Sequence, residues 1–312
     1  MRVIDSLEAI RPEDFPDGSC VAIGKFDGLH RGHQSILRSV TDSARAEGRR
    51  SVVLTFANNP LSYLKPEVCP QPLMSREQRL EAFEAAGIDV CVMLEFDAAL
   101  ASIPAERFVA EVLVDRLRAR HIVMGADFRF GYRGAGDGGL LRSLGERYGF
   151  DADVLELVED GDAGQVSSSR VREAVLAGDV DVAARMLGRL PAVRGVVVHG
   201  DARGREIGFP TANLGGDIEG LVPADGVYAG WVVVGGARMV AAISVGANVT
   251  FDPDGESRVE AFVLDFDRDI YGERLEVQFA LRLRGMERFD SLEPLLVQMR
   301  ADVEATRGLL AG

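Results

Sequence analysis

The sequence is poor in cysteine, in long apolar runs and in basic charge, and each shortage excludes a class of protein. Its three cysteines form no CxxC pair, and their odd number is typical of a protein of the reducing cytoplasm. No apolar run approaches membrane-spanning length, and the N-terminus is too acidic for a signal peptide. The net charge of −14 argues against nucleic acid or an anionic membrane as the main partner.

The chain of 312 residues is long for one domain and comfortable for two. In its first half, short apolar runs alternate with stretches of helical spacing, which is typical of parallel βαβ units. The predicted strands are Val21–Ile23, Ser51–Phe56, Ile88–Leu94 and His121–Gly125, with helices predicted after Arg31, after Ser75 and over Pro104–Arg120. We therefore expect a doubly wound sheet that binds ligands at the carboxyl ends of its strands.

The pattern changes at Gly188–Pro191, where a helix stop followed by proline predicts a boundary between domains 1–188 and 189–312. Five later segments predict strands with no helix between them: Val193–His199, Gly226–Val234, Arg238–Val245, Arg258–Phe266 and Glu273–Arg284. This order favours an antiparallel barrel or sandwich. A last amphipathic helix, capped by Asp290, is expected to pack on these strands.

The stretch VAIGKFDGLHRGH (residues 21–33) predicts a strand, a glycine turn and a helix start. Free backbone N–H groups and the positive end of a helix dipole make that geometry a phosphate site. The chain has four histidines, and two of them, His30 and His33, lie in this turn, where both can face one ligand. An ordinary turn with surface histidines is the alternative. A zinc site is disfavoured, because no cysteine or acidic cluster lies nearby at ligand spacing.

A second chemical stretch runs from Gly200 to Asn213, and its glycines and arginines predict a flexible cationic flap that approaches phosphates. Thr211 and Asn213 offer oxygen ligands suited to a nucleotide-bound Mg²⁺. The Walker form GxxxxGK[ST] is absent, which excludes an ordinary P-loop ATPase. Glu260 alternates with apolar neighbours in a predicted strand, so it is either solvated surface or a general base.

These motifs resemble those of one family. GKFDGLHRGH resembles the HxGH signature of nucleotidylyltransferases, in the longer form of the prokaryotic bifunctional riboflavin kinase/FAD synthetases, and GFPTAN resembles the riboflavin kinase signature. The resemblance implies a Rossmann-like doubly wound nucleotidylyltransferase domain, then an antiparallel β-barrel kinase domain with a C-terminal helix. It also implies that a cytoplasmic enzyme converts riboflavin to FMN and FMN to FAD with ATP and Mg²⁺.

The resemblance further implies a set of site residues. Catalytic roles fall on His30, His33 and Glu260, and metal binding on Thr211 and Asn213. Nucleotide or phosphate binding falls on Gly24, Phe26, Asp27, Gly28, Ser167, Ser168, Ser169, Arg170, Arg172, Gly204, Arg205, Gly208 and Pro210, and flavin binding on Asn59, Asp127, Phe128 and Phe130.

One segment departs from the family pattern. Many members have TFDPHP where this chain has TFANNP (residues 55–60), so Asn59 replaces a histidine and Ala57 an aspartate. Asparagine forms hydrogen bonds but carries no proton or positive charge at neutral pH. An alternative is therefore a riboflavin kinase with a weak or inactive adenylyltransferase domain. A flavin-binding regulator without turnover has no need of a base, and a class I aminoacyl-tRNA synthetase would need a basic surface for tRNA.

Overall fold

The computed structural model describes residues 1–156, 158–161, 164–200, 207–246 and 258–310. Contacts between Cα atoms divide the chain into two compact units, Met1–Ser167 and Ser168–Gly312. The boundary that the sequence predicts between residues 188 and 189 stays a prediction. In the described ranges, none of the helices combines the length and apolar content that crossing a membrane requires.

The first unit contains a six-stranded sheet in the order β1-β4-β3-β2-β5-β6, and every pairing in it is parallel. Its strands are β1 (Arg2–Ile4), β2 (Ser19–Ile23), β3 (Arg50–Phe56), β4 (Val90–Leu94), β5 (Ala119–Gly125) and β6 (Asp151–Leu155). Its helices are α1 (Arg31–Glu47), α2 (Pro60–Leu64), α3 (Arg76–Ala85), α4 (Ala98–Ala101), α5 (Ala105–Arg107) and α6 (Gly138–Tyr148), and β7 (Glu159–Asp160) pairs with β8 (Gly164–Gln165). The prediction of a parallel doubly wound sheet is confirmed.

Both faces of the sheet are covered by apolar residues. Each strand contributes to both faces, because successive strand residues point to opposite sides. Val21 and Ile23 of β2 belong to one apolar cluster, whereas Cys20 and Ala22 belong to another that includes the buried face of α1. The elements that were not predicted include the edge strands β1 and β6, the helix α6 between β5 and β6, the short helices α2 and α4, and the β7–β8 pair.

The helix predicted over Pro104–Arg120 is wrong in its last turn. Helix α5 continues as a π-helix over Phe108–Arg116, and β5 already begins at Ala119. Arg118 has a φ of +49°, which ends the helix and turns the chain into the strand. The spacing of the apolar residues Phe108, Val112 and Leu117 does not indicate that the helix ends before Arg120.

The second unit is built on a closed six-stranded barrel in the order β10-β13-β12-β11-β14-β9, with every pairing antiparallel. Its strands are β9 (Ala192–Val198), β10 (Ala212–Glu219), β11 (Gly226–Val234), β12 (Ala237–Gly246), β13 (Arg258–Val263) and β14 (Arg274–Arg284). Its helices are α7 (Ser168–Ala177), α8 (Val180–Leu187) and α9 (Leu292–Leu310). The predicted barrel is confirmed, and so is the packing of the last helix on it, since α9 contacts β11 and β12.

Strand β10 was not predicted, because Gly215 and Gly216 interrupt its apolar pattern. Helix α8 packs on β14, and its Val180 is fully buried in the apolar cluster that fills the barrel. The described structure therefore joins the helices before Gly188 to the barrel, whereas the sequence placed them in the first domain.

Candidate functional sites

The turn after β2 lies at the switch point of the first sheet. Strand β2 pairs with β3 on one side and with β5 on the other, and the chain crosses over β2 between β4 and β5. Open α/β sheets bind ligands in the crevice at such a point, outside the carboxyl ends of the strands. Gly24 directly follows β2 at this edge, and Gly125 ends β5 beside it.

The backbone of this turn is held in an unusual conformation. Phe26, Gly28 and Leu29 all have positive φ values, of 50°, 80° and 44°. The fully buried Phe26 ring packs edge-on against Phe83, and a Cβ at Gly28 would come within 2.6 Å of Leu73, so only glycine fits there. Two non-glycine residues in the left-handed region of one loop are typical of a functional site whose surroundings enforce the strain.

The two histidines form a stacked pair at the start of α1. His30 is the N-cap residue, and its Nδ1 accepts a hydrogen bond from the backbone N–H of His33 at 3.4 Å. Since Nδ1 is an acceptor, a neutral His30 carries its proton on Nε2. The rings stack at a centroid distance of 3.7 Å and 17°, and the edge of Phe26 contacts His33. A side chain at Gly32 would meet the His30 ring at 3.3 Å.

The other residues predicted for this site have varied surroundings. Asp27 accepts a hydrogen bond from the backbone of Leu73 at 2.9 Å, so its carboxylate also braces the turn. Asn59 is the N-cap of α2, where its Oδ1 accepts from the N–H of Leu61 at 3.0 Å. In the loop after β5, Asp127 is exposed and Phe128 half-buried, whereas Phe130 is buried against Phe108 and supports the loop.

Another set of residues predicted to bind nucleotide or phosphate begins at Ser167. Helix α7 starts at Ser168, and Ser169 and Arg170 follow in its first turn. Arg172 contacts the carbonyl of Ser168 at 3.4 Å. Helix α7 belongs to the second compact unit, whereas the histidines belong to the first. Phosphate binding by this helix stays a prediction.

The second unit contains a cavity of about 560 Å³ beside β10, β12 and β13. Thr211, Asn213 and Glu260 line it, and the hydroxyl of Thr211 donates to Oε2 of Glu260 at 3.2 Å. Glu260 lies opposite Asn213 on β10 and opposite Ser244 on β12. Its neighbours in sequence, Val259 and Ala261, point into the barrel core, as the alternation predicts.

The segment before β10 contributes the rest of this wall. Phe209, Pro210 and Ile207 line the cavity, and the Phe209 ring lies 5.2 Å from that of Phe262. Gly208 has a φ of +84°. Gly204 and Arg205, which the sequence assigns to phosphate binding, lie outside the described residues.

Two family models match this chain, one over each half. A FAD synthetase family model matches residues 13–170, and a riboflavin kinase family model matches residues 187–310. The chain is 38% identical to the bifunctional riboflavin kinase/FMN adenylyltransferase of Pseudomonas fluorescens, with 100% of this chain and 98% of the relative covered. It belongs to this family.

Two further comparisons extend over nearly the whole chain. The bifunctional riboflavin kinase/FMN adenylyltransferase of Listeria monocytogenes is 31% identical, with 100% of this chain and 99% of the relative covered. A crystal structure described as a macrolide-efflux protein from Streptococcus pneumoniae superposes with a TM-score of 0.85 at 35% identity, over 98% of this chain and 99% of that one.

The donor set of the barrel cavity fits Mg²⁺, a cation that prefers oxygen ligands. The Thr211 hydroxyl and the Asn213 amide oxygen are hard ligands. Asn213 lies in β10, and Thr211 immediately precedes that strand. Asn213 donates from Nδ2 to the carbonyl of Thr211 at 3.4 Å, which leaves Oδ1 as the atom for a cation.

Another group of potential metal ligands lies at the amino end of the first sheet. One ligand atom each from Cys20, Glu47 and His121 lies within 4.8 Å of the others. His121 already bonds to Asp153 at 2.9 Å, and Glu47 pairs with Arg49. Burial raises the pKa of the Cys20 thiol, which opposes the thiolate form that binds metals. These contacts account for the cluster without a metal.

The sequence did not indicate that two arginines, Arg79 and Arg284, lie at the candidate sites. Arg79 is buried at the ends of β2 and β3 and bonds only to backbone carbonyls and a methionine sulfur among the contacts seen there. Arg284 lines the barrel cavity and forms an ion pair with Asp302 of α9. Both Nε and Nη2 of Arg284 donate to this carboxylate, and the distance from Nη2 to Oδ2 is 2.7 Å. One signal was available: Arg79 lies four residues before Phe83, and so on the buried face of α3.

Proposed function

We propose that this family member phosphorylates riboflavin with ATP to give FMN and adenylylates FMN with a second ATP to give FAD and pyrophosphate. The observation that carries the proposal is the Glu260 carboxylate, hydrogen-bonded to Thr211 on the wall of a 560 Å³ cavity within the segment matched to riboflavin kinase. The stacked histidine pair at the switch point of the matched FAD synthetase segment supports the second activity.

In the kinase step, Glu260 takes the proton of the riboflavin 5′-hydroxyl. The freed oxygen bonds to the γ-phosphorus of ATP, the bond from that phosphorus to the β–γ bridging oxygen breaks, and ADP leaves. A carboxylate is a suitable base when the hydroxyl lies within hydrogen-bond reach. Thr211 and Asn213 would hold Mg²⁺, which neutralises phosphate charge when bound.

In the adenylyl step, a phosphate oxygen of FMN attacks the α-phosphorus of ATP, and the bond to the α–β bridging oxygen breaks, so that pyrophosphate leaves. This chemistry needs positioning and electrostatic stabilisation rather than a protein nucleophile. Nε2–H of His30, the imidazole of His33 and the positive end of the α1 dipole favour the developing charge. Ser167–Ser169, Arg170 and Arg172 are proposed to bind the departing pyrophosphate.

A kinase-only enzyme is the second candidate, and it is favoured by one observation: Asn59, where many members have histidine, is engaged as a helix cap. The match of a FAD synthetase family model to residues 13–170 outweighs it. The three cysteines have no disulfide, which fits a cytoplasmic location.

The test is incubation of purified protein with riboflavin, ATP and Mg²⁺, followed by chromatographic separation of riboflavin, FMN and FAD. Sequential appearance of FMN and then FAD is expected. Formation of FMN without FAD, even when FMN is supplied, would support the kinase activity alone. Absence of both FMN and FAD would overturn the proposal.

A further inference from the structure

The side chain of Arg79 joins the two loops that hold the predicted adenylyltransferase residues. Its Nη1 donates to the carbonyl of Lys25 at 3.2 Å, and Nη2 donates to the carbonyls of Phe56 at 2.7 Å and Ala57 at 3.2 Å. Lys25 begins the turn that carries the histidines, and Ala57 begins the segment that leads to Asn59. One guanidinium thus connects the carboxyl ends of β2 and β3.

Its surroundings are those of a buried cation that the fold retains at a cost. Arg79 is only 7% exposed, and burial lowers the pKa of its guanidinium. Asp27 and Glu77 act on that charge through space, whereas its direct contacts are carbonyl oxygens and the sulfur of Met93 at 3.8 Å. Burying a charge is unfavourable unless hydrogen bonds compensate, and the three carbonyls supply that compensation.

The contact with Lys25 falls where the turn is most strained. The next residue, Phe26, has a φ of +50°, and the Lys25 carbonyl accepts a second hydrogen bond, from the hydroxyl of Thr55 at 3.0 Å. A strained backbone persists only where its surroundings enforce it, and here two donors from α3 and β3 fix the peptide group that starts the turn.

We propose that Arg79 is a positioning residue of the adenylyltransferase site. It holds the histidine turn in register with the end of β3, and it does so through backbone carbonyls rather than through contact with substrate. This inference rests on the proposed adenylyl transfer. Both Nη atoms donate to backbone carbonyls, and the role that we assign to Arg79 involves no phosphate.

The experiment compares Arg79→Met and Arg79→Lys with a matched control, Arg116→Met. Arg116 also donates from Nη1 to a backbone carbonyl of the first unit, that of Leu7 at 2.6 Å, but it ends the π-helix near the amino end of β5. For each variant, kcat and KM for FMN adenylylation are measured with supplied FMN and normalised to the folded fraction from circular dichroism. Riboflavin phosphorylation in the same samples is the internal reference.

Arg79→Met should lower kcat for FAD formation about 10- to 100-fold with a smaller change in KM for ATP, as expected when reacting groups are displaced by up to an ångström. Lysine, which can reach some of the carbonyls, should restore part of the loss. Arg116→Met should leave kcat within about twofold, since its carbonyl partner, Leu7, belongs to neither of the loops that Arg79 joins. Phosphorylation should be unchanged throughout.

An unchanged kcat in folded Arg79→Met, or an equal loss in Arg116→Met, would overturn the inference while wild-type FAD formation upholds the proposed function. A wild type that makes no FAD would overturn both. If the methionine variant fails to fold, the comparison of Arg79→Lys with Arg116→Lys decides. We then expect kcat for FAD formation to fall about threefold or more in Arg79→Lys only.

Discussion

The hydroxyl of Thr211 donates a hydrogen bond to Oε2 of Glu260, with 3.2 Å between the two oxygens. A threonine oxygen that coordinates a cation can still donate its proton, so the same residue can serve a metal and orient a carboxylate. The contact therefore ties the proposed metal ligand to the proposed base.

Glu260→Gln should lower riboflavin phosphorylation about 10²- to 10⁴-fold, because the isosteric amide has no proton affinity to offer. FAD formation from supplied FMN should stay at the wild-type rate. Glu276→Gln is the matched control, since Glu276 lies on a strand of the same barrel, pairs with Arg194 at 2.6 Å and does not line the cavity. Undiminished phosphorylation in Glu260→Gln would remove this residue from the mechanism.

The orientation of Glu260 was predictable from the sequence, but its partner was not. Alternation with Val259 and Ala261 determines its face, because strand side chains have a period of two. The contact with Thr211 depends on the pairing of β10 with β13, and β10 was missed because its glycines conceal the strand pattern. The pairing of strands far apart in sequence leaves no local signal.

His33→Ala should reduce FAD formation about 10²- to 10³-fold, the usual loss when a donor to developing charge is removed. FMN formation should be intact. His121→Ala is the control: it removes a buried histidine of the same unit, bound to Asp153 at the amino end of β5, and should affect stability alone. Equal loss of both activities in His33→Ala would contradict two separate sites.

For the first site, the sequence predicts the strand, turn and helix start, and the structure confirms all three. It does not reveal the stacking of His30 on His33 or the bonds of Arg79, since both depend on a turn with three positive φ values. Phe130 is buried, and the sequence alone does not show whether an aromatic residue in a motif packs in the core or faces a ligand.

Asn59→Ala should destabilise the first unit by about 1 kcal/mol, because the N-cap bond to Leu61 is lost. Asn59→Asp keeps the acceptor and should melt near the wild type. Asn59→His restores the residue of many family members and should change FAD formation only modestly if asparagine is a working substitute. Thermal unfolding and FAD assays of the three variants test this. A histidine variant that gains FAD formation from none would support the kinase-only candidate.

The stability of the first unit should fall at alkaline pH because of Cys91. Burial raises the pKa of its thiol to about 12. An unfolded cysteine titrates near 8.5, so above that pH the unfolded chain releases a proton that the folded chain retains. The free energy of unfolding should therefore be flat below about pH 8 and then decline, by up to about 1.4 kcal/mol per pH unit from this group.

Denaturant unfolding of the wild type and Cys91→Ala between pH 7 and 11 provides the measurement. The alanine variant is expected to be less stable at neutral pH, because it leaves a cavity, but to have a shallower alkaline decline. Cys69→Ala, at a half-buried position, is the control and should keep the wild-type slope. Parallel slopes for wild type and Cys91→Ala would show that this thiol titrates normally.

The last prediction concerns where the kinase unit begins. The sequence places the boundary after Gly188, yet several contacts join α7 and α8 to the barrel. Val180 is fully buried in the barrel cluster, Arg282 donates to the carbonyl of Ala177 at 3.2 Å, and the N–H of Ala224 donates to the carbonyl of Val175 at 3.3 Å. A fragment that starts at Arg189 lacks these contacts and exposes the apolar surface that Val180 covers.

Fragments 168–312 and 189–312 should both form FMN from riboflavin and ATP, but the longer one should melt at least about 5 °C higher. Burial of one aliphatic side chain contributes about 1.5–3 kcal/mol, and about 1 kcal/mol shifts the midpoint of a unit this size by several degrees. Val180→Ala in the longer fragment should remove much of the difference, whereas Leu176→Ala, an exposed position on α7, should not. Equal melting of the two fragments would support the boundary after Gly188, and an insoluble longer fragment beside an active full chain would contradict an independent kinase unit.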